Sequence, residues 1–186
     1  LIVQEAVKGD YQWLILIEDD NILPPNAFMI WNKYMREYKV PIVSGLYYSK
    51  SKPSEPLVFR GRGTSVYTEW EPGDKVWCDG VPTGCLLIHM SILKKMYEES
   101  PEYNIPGLGI ARRVFEIPQR TWTDGQGHFN TLVGTTDLQW CTRVMDGKFF
   151  EKAGWSEYQR KKYPFLVDTS LYSRHIDRNT GEQFPP

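Results

Sequence analysis

The chain has 186 residues, 41% hydrophobic and 14% aromatic, enough apolar mass to fill one core and so to form a single domain over 1–186. A formal net charge of −1, with no basic run longer than Lys94-Lys95 or Arg160-Lys161-Lys162, argues against a polyanion footprint and hence against a nucleic-acid partner. No apolar stretch approaches the roughly 20 residues of a membrane-spanning helix. Cys78, Cys85 and Cys141 lie among apolar neighbours, without disulfide-framework or zinc spacing, which suits reduced core thiols and a cytoplasmic setting.

Leu1 to Gly9 reads as a helix entered midway, and an opening Leu instead of Met suggests a fragment whose amino-terminal part is missing. Trp13-Leu14-Ile15-Leu16-Ile17 is a continuous apolar run, the pattern of a strand covered on both faces, as in parallel sheets flanked by helices. It runs directly into Glu18-Asp19-Asp20 and then Pro24-Pro25. Ligands of open α/β sheets gather at the carboxyl ends of strands. Three adjacent acids there repel one another unless something positive lies between them, and a divalent metal carrying a phosphorylated ligand meets that need. Capping of the next helix is the plainer reading, but one acid is enough for it.

Ala27, Trp31, Tyr34 and Tyr38 recur at helical spacing, so 25–38 reads as an amphipathic helix ended by Pro41. Ile42 to Leu46 is a short strand, and Ser49 to Pro56 a loop. Gly61, Gly63 and Pro72 break Leu57 to Trp77 into short, twisted antiparallel strands. A tight turn at Val81 to Gly84 leads into the buried strand Cys85 to Ile88, after which Ser91 caps a helix running to about Glu99. Pro101 to Gly134 reads as mostly loop, with a short strand around Val114 to Ile117. Thr135 or Thr136 opens a helix with Leu138, Cys141 and Met145 on one face, and Gly147 stops it. Phe165 to Val167 forms a strand leading into Asp168 and on to Arg174-His175-Ile176-Asp177.

Four stretches in this order resemble the catalytic half of the nucleotide-sugar glycosyltransferases of GT-A fold, family-2-like. They are Ile17 to Asn21 with Pro24-Pro25, Thr83 to Ile88, Thr136 to Cys141, and Ser173 to Asp177. The first is similar to the family's DxD element with Glu18 in the leading place, the third to its Glu-Asp motif with Thr136 replacing the acid before Asp137, and the last to its carboxy-terminal metal-binding His. The resemblance implies a GT-A-like, Rossmann-like α/β fold with a mostly parallel sheet flanked by helices, lacking the amino-terminal nucleotide-binding part.

It further implies a sugar transfer from a UDP- or GDP-sugar donor to a hydroxyl acceptor, dependent on Mn²⁺ or Mg²⁺. Asp20, His175 and Glu18 would be metal ligands, and Glu18, Asp19, Asp20, Thr83 and Gly84 would lie along the donor. Imidazole among oxygen ligands tilts the choice toward Mn²⁺. Asp137 would be the general base of an inverting transfer. Trp122 and Trp140 are the candidate acceptor contacts, with Trp70 and Trp77 as further aromatic platforms. Two other readings stand beside this one: a sugar nucleotidyltransferase, which would release pyrophosphate, and a non-catalytic carbohydrate- or metal-binding remnant.

Overall fold

The structure, a computed structural model, describes residues 1–61, 66–107, 109–117 and 119–185. The elements in chain order are α1 (Ile2–Lys8), β1 (Trp13–Ile17), β2 (Asn21–Ile22), α2 (Ala27–Glu37), β3 (Ile42–Leu46), β4 (Lys75–Cys78), β5 (Cys85–His89), α3 (Met90–Glu99), β6 (Glu102–Ile105) and β7 (Gly109–Arg112). There follow β8 (Gln119–Thr123), β9 (Phe129–Val133), α4 (Thr136–Asp146), α5 (Phe149–Lys152), α6 (Ser156–Gln159), β10 (Phe165–Tyr172), β11 (Arg174–Ile176) and β12 (Gln183–Phe184).

The main sheet has five strands in the order β1-β5-β3-β10-β4. Only β3 and β10 run parallel; β1 with β5, β5 with β3, and β10 with β4 are antiparallel. The fold is therefore mixed α/β with a mostly antiparallel sheet, which corrects the expectation of a mostly parallel, Rossmann-like one. The apolar runs in β3 and β5 report burial on both faces, and helices on both faces supply it whatever the strand direction. Val43, Tyr47, Cys85, Leu87 and Leu166 pack on one face against Ala27, Trp31 and Tyr34 of α2. Ile42, Leu46, Leu86, Ile88 and Phe165 pack on the other against α1, α3, α4 and α5.

Several boundaries differ from those read in the sequence. α2 ends at Glu37, because Tyr38 turns left-handed at φ 51° and closes the helix through its N–H to the Tyr34 carbonyl, ahead of Pro41. His89, not Ser91, caps α3, its imidazole accepting the Ser91 N–H. Residues 101–134 are not mainly loop but carry two hairpins, β6–β7 and β8–β9, while 114–117 are not a strand. All of β8 is exposed, so it had no buried face to leave a periodic signal. Among the described residues between Leu57 and Trp77 there are only isolated bridges, such as Phe59 to Val66, before β4 begins. Gly63 lies outside the described residues. α5 and α6 are single turns too short for the sequence pattern to reveal. No helix among the described residues is long and apolar enough to cross a membrane.

Asp168, expected at a strand end, sits within β10 and is 1% exposed. The Tyr34 hydroxyl donates to its Oδ2 at 2.6 Å and the Lys75 ammonium at 2.9 Å, while the Ser170 N–H donates to Oδ1 at 3.0 Å. Burial pushes the Asp168 carboxyl up, but the bonds from Tyr34, Lys75 and Ser170 outweigh it and hold it below the usual carboxylate range. A carboxylate with a depressed folded-state pKa adds stability above its unfolded value of about 3.9 and loses it as pH falls through the folded value. Asp168→Ala should cost about 3 kcal/mol at neutral pH, a fall in Tm of roughly 6–12 °C. Thermal melts below about pH 4 should show that penalty shrinking. A penalty that does not change with pH would refute the ionised pairing.

Candidate metal centre

The acids after β1 are placed by two strand contacts. Past the last β1–β5 pair, Ile17 opposite Cys85, the Glu18 N–H donates to the Gly84 carbonyl at 3.1 Å. Asn21 and Ile22 then pair antiparallel with His175 and Arg174, and the Ile176 N–H donates to the Asp20 carbonyl at 2.8 Å. This brings the carboxy-terminal His175 over the acids.

The His175 Nε2 lies 4.0 Å from Glu18 Oε2 and 3.9 Å from Asp20 Oδ1. One ligand atom from each of the three residues falls within 4.8 Å of the others. The His175 Nδ1 sits 2.6 Å from the Tyr48 carbonyl oxygen, which can only accept, so Nδ1 is the donor and Nε2 is the nitrogen turned toward the carboxylates. Tyr47 packs edge-on against the imidazole at 4.8 Å, and the residue is 8% exposed. Asp20 Oδ1 is buried without a hydrogen-bond partner. A buried carboxylate oxygen with no hydrogen-bond partner leaves a place for a positive group beside it.

Those residues fit a divalent cation. Bonds of about 2.1 Å reach ligand atoms as much as about 4.2 Å apart, a span that includes the two distances from Nε2. Two carboxylates and an imidazole are a borderline-hard set that suits Mn²⁺ better than Mg²⁺. The second Asp20 oxygen, Oδ2, receives the Lys50 ammonium at 2.5 Å. Burial pushes the Asp20 carboxyl up, yet Lys50, with His175 behind it, prevails and holds it below the usual range.

The Gly84 turn forms the floor. A Cβ at Gly84 would stand 2.3 Å from Asn21 Nδ2, 2.6 Å from the Tyr47 hydroxyl and 2.8 Å from Glu18 Oε2, so close approach requires glycine here. The Gly84 N–H donates to the Tyr47 oxygen at 2.8 Å, and the Asn21 amide to the Gly84 carbonyl at 3.1 Å. The Thr83 hydroxyl donates to Glu18 Oε1 at 3.1 Å. Burial, then the charge of Glu18, pushes the Tyr47 hydroxyl well above its ordinary range, and the Asp137 charge adds to this. Asp137 lies in the first turn of α4, where its carboxylate accepts the Leu138 N–H at 2.9 Å. α4 is docked by Leu138, which a Cβ at Gly80 would strike at 2.6 Å, and by Cys141, whose thiol accepts the Val81 N–H at 3.4 Å.

Other expected residues are not at the site. Trp140 is fully buried and stacks on Phe115 with ring centres 5.2 Å apart, so it is a core residue and not an acceptor contact. Its helical position faces the sheet, and an aromatic that fills the core has no face left for a sugar. Trp122 is 43% exposed on the β8–β9 hairpin, with the Arg120 guanidinium 5.7 Å from its ring centre. Trp70 is tied to the Tyr67 carbonyl, and Trp77 packs between α6 and the sheet beside Tyr158. Asp19 points outward, its carboxylate paired with Arg178. Sequence reasoning missed Tyr47, Tyr48, Lys50 and Arg178. Only Arg178, three residues after His175, carried a positional hint.

No family's sequence model matches the chain, and no curated protein matches it. Among solved structures, it is similar to the crystal structure titled A197 from STIV, with a TM-score of 0.52 and 13% sequence identity, over 97% of this chain and 69% of that one. That likeness shows a shared fold alone. Together these findings overturn the assignment to the GT-A glycosyltransferase family: four short motifs in the right order are not matched by the rest of the sequence, and acids at a strand end arise in many folds.

Calorimetric titration of Mn²⁺ should show one site, weakened at least about 10-fold by Asp20→Ala and by His175→Ala, the size expected for loss of a ligand or its support. Unchanged affinity in both would exclude these ligands. Gly84→Ala should destabilise the fold by about 1–3 kcal/mol through overpacking and weaken Mn²⁺ binding with it.

Proposed function

We propose that the chain carries out a metal-dependent transfer of a sugar from a UDP- or GDP-sugar donor to a hydroxyl acceptor. One observation carries this reading: Glu18, Asp20 and His175 converge with an orphaned buried Asp20 oxygen and the His175 Nε2 turned toward it, at the end of an edge strand of the main sheet. A bound Mn²⁺ would supply Lewis-acid stabilisation of the charge that develops on a departing diphosphate, worth several kcal/mol.

The chain's own residues account for the rest. Glu18, fixed by Thr83 and by the Gly84 carbonyl, and His175, fixed by Tyr48, keep their geometry without reorganising. Tyr47 stays protonated at any physiological pH, so its hydroxyl remains a neutral wall beside the carboxylates. Asp137, in the first turn of α4, is the candidate base: it would take the proton of the acceptor hydroxyl as that oxygen bonds the anomeric carbon and the bond to the diphosphate oxygen breaks. Such a proton transfer contributes about 10²–10⁴-fold. Direct displacement inverts the anomeric centre.

With Mn²⁺ and a panel of UDP- and GDP-sugars, the chain should release nucleoside diphosphate. Asp137→Asn should lower turnover by about 10²–10⁴-fold and leave Mn²⁺ affinity unchanged. Release of pyrophosphate would indicate nucleotidyl transfer instead. Tight Mn²⁺ and sugar binding with no turnover, unaltered by Asp137→Asn, would mark a binding module.

A further inference from the structure

The loop after β3 crosses the metal centre and is itself tightly built. The Ser49 N–H donates to the Glu55 carbonyl at 2.8 Å, the Glu55 N–H to the Ser49 hydroxyl at 3.0 Å, and the Ser54 hydroxyl to the Ser49 carbonyl at 2.6 Å. Tyr48, at the loop's entry, holds His175 through its carbonyl, and Lys50, two residues on, reaches Asp20 Oδ2. Asp20 is thus shared, Oδ1 turned to His175 and Oδ2 to Lys50.

The charges around this point have a definite sense. Glu18, Asp19 and Asp20 face two cations, Lys50 on Asp20 and Arg178 on Asp19, leaving one excess negative charge. Asp177, whose carboxylate accepts the Asn179 and Thr180 N–H groups and also feels the Lys50 charge, brings that excess to two. A divalent cation between Glu18, Asp20 and His175 would offset that excess, so that an anion meets no net repulsion at the loaded centre. Lys50 is well placed to meet one. An ammonium has three donors, and among the described residues Asp20 is its only hydrogen-bond acceptor, which leaves two N–H groups on a side chain still 35% exposed.

We infer that Lys50 is an anion-recognition residue that holds a diphosphate beside the metal centre, with Asp20 positioning its ammonium. This deepens the sugar-transfer reading and rests on its metal centre. The shared ligand chemistry is a diphosphate, whether inorganic or the diphosphate of a nucleotide. Asp20 couples the two bound partners: Lys50 repels the cation and attracts the anion, so its removal acts on them in opposite directions. A purely structural ion pair would not produce opposite signs.

The test is calorimetric titration of Mn²⁺, followed by pyrophosphate, UDP and GDP, into the full chain and into Lys50→Met, Lys50→Arg and Lys52→Met. The parent should bind diphosphates only when Mn²⁺ is present. Lys50→Met should weaken diphosphate binding about 10–100-fold, as loss of a charge-assisted contact does, while Mn²⁺ affinity holds or rises a few-fold. Lys50→Arg should restore most of the anion affinity. Lys52→Met, which removes a lysine paired with Glu182, should change neither. Tighter binding of UDP or GDP than of pyrophosphate would make the nucleotide the source of the diphosphate, and equal binding would make the diphosphate alone sufficient. Mn²⁺ binding with no diphosphate binding, or diphosphate binding within twofold of the parent in Lys50→Met, would overturn the role of Lys50 and leave the metal centre standing. No Mn²⁺ binding by the parent would overturn both.

Discussion

The short antiparallel pairing of Asn21 and Ile22 with His175 and Arg174 is the contact on which the site depends. It is only two residues long on one side, yet it brings the last part of the chain to the acids that follow the first strand. Backbone hydrogen bonds set the direction of both strands, and His175 then faces Glu18 and Asp20 as a matter of register. The Tyr48 carbonyl completes the constraint by deciding which imidazole nitrogen is left open. Without that pairing the carboxylates would be an exposed acidic turn beside a loop lysine.

The floor beneath depends on a steric condition. Three polar groups, Asn21, Tyr47 and Glu18, approach the Gly84 backbone to distances that no side chain would permit. Gly84 thereby lets the Tyr47 hydroxyl and the Glu18 carboxylate share one small space. The main sheet makes this geometry rigid: β3 and β5 are buried along their whole length between two layers of helix, so the strand ends that carry Leu46-Tyr47 and Gly84-Cys85 cannot shift independently. Rigid strands supporting short polar loops are the usual way to hold reacting groups at fixed separations.

Fold and chemistry carry separate weight here. The likeness to A197 from STIV speaks to chain path alone, because at 13% identity a shared architecture transfers no residue's role. The chemical reading stands on atoms: an unpartnered carboxylate oxygen, an oriented imidazole, a lysine shared with the same acid. In the proposed reading metal affinity and anion affinity are separable, with Glu18 and His175 serving the first and Lys50 the second.

Much of the secondary structure was legible in the sequence. The apolar runs at Ile42–Leu46 and Cys85–His89, and the helical spacing of Ala27, Trp31 and Tyr34, report buried surfaces, whereas Trp13–Ile17, read as covered on both faces, is an edge strand only partly buried, with Ile17 exposed. The convergence of Glu18, Asp20 and His175 was anticipated only through the motif resemblance, since three adjacent acids ask for a positive neighbour but nothing in their spacing says that His175 accompanies it. Strand direction was not legible: a strand covered on both faces looks the same whether its neighbour runs parallel or antiparallel, so the mostly antiparallel sheet came only from the tertiary pairing. β8 is exposed along its whole length, and β6 and β7 are short and only partly covered, so these strands leave little pattern. Trp140 could not be told from a sugar platform by type, and its packing on Phe115 settled that it fills the core. By itself, the sequence determined which residues had to be buried and which charges had to be neutralised. Only the tertiary structure decided which partners did so, because contacts such as Lys50 on Asp20 and Tyr48 on His175 join residues distant in the chain and depend on register, which no local pattern records.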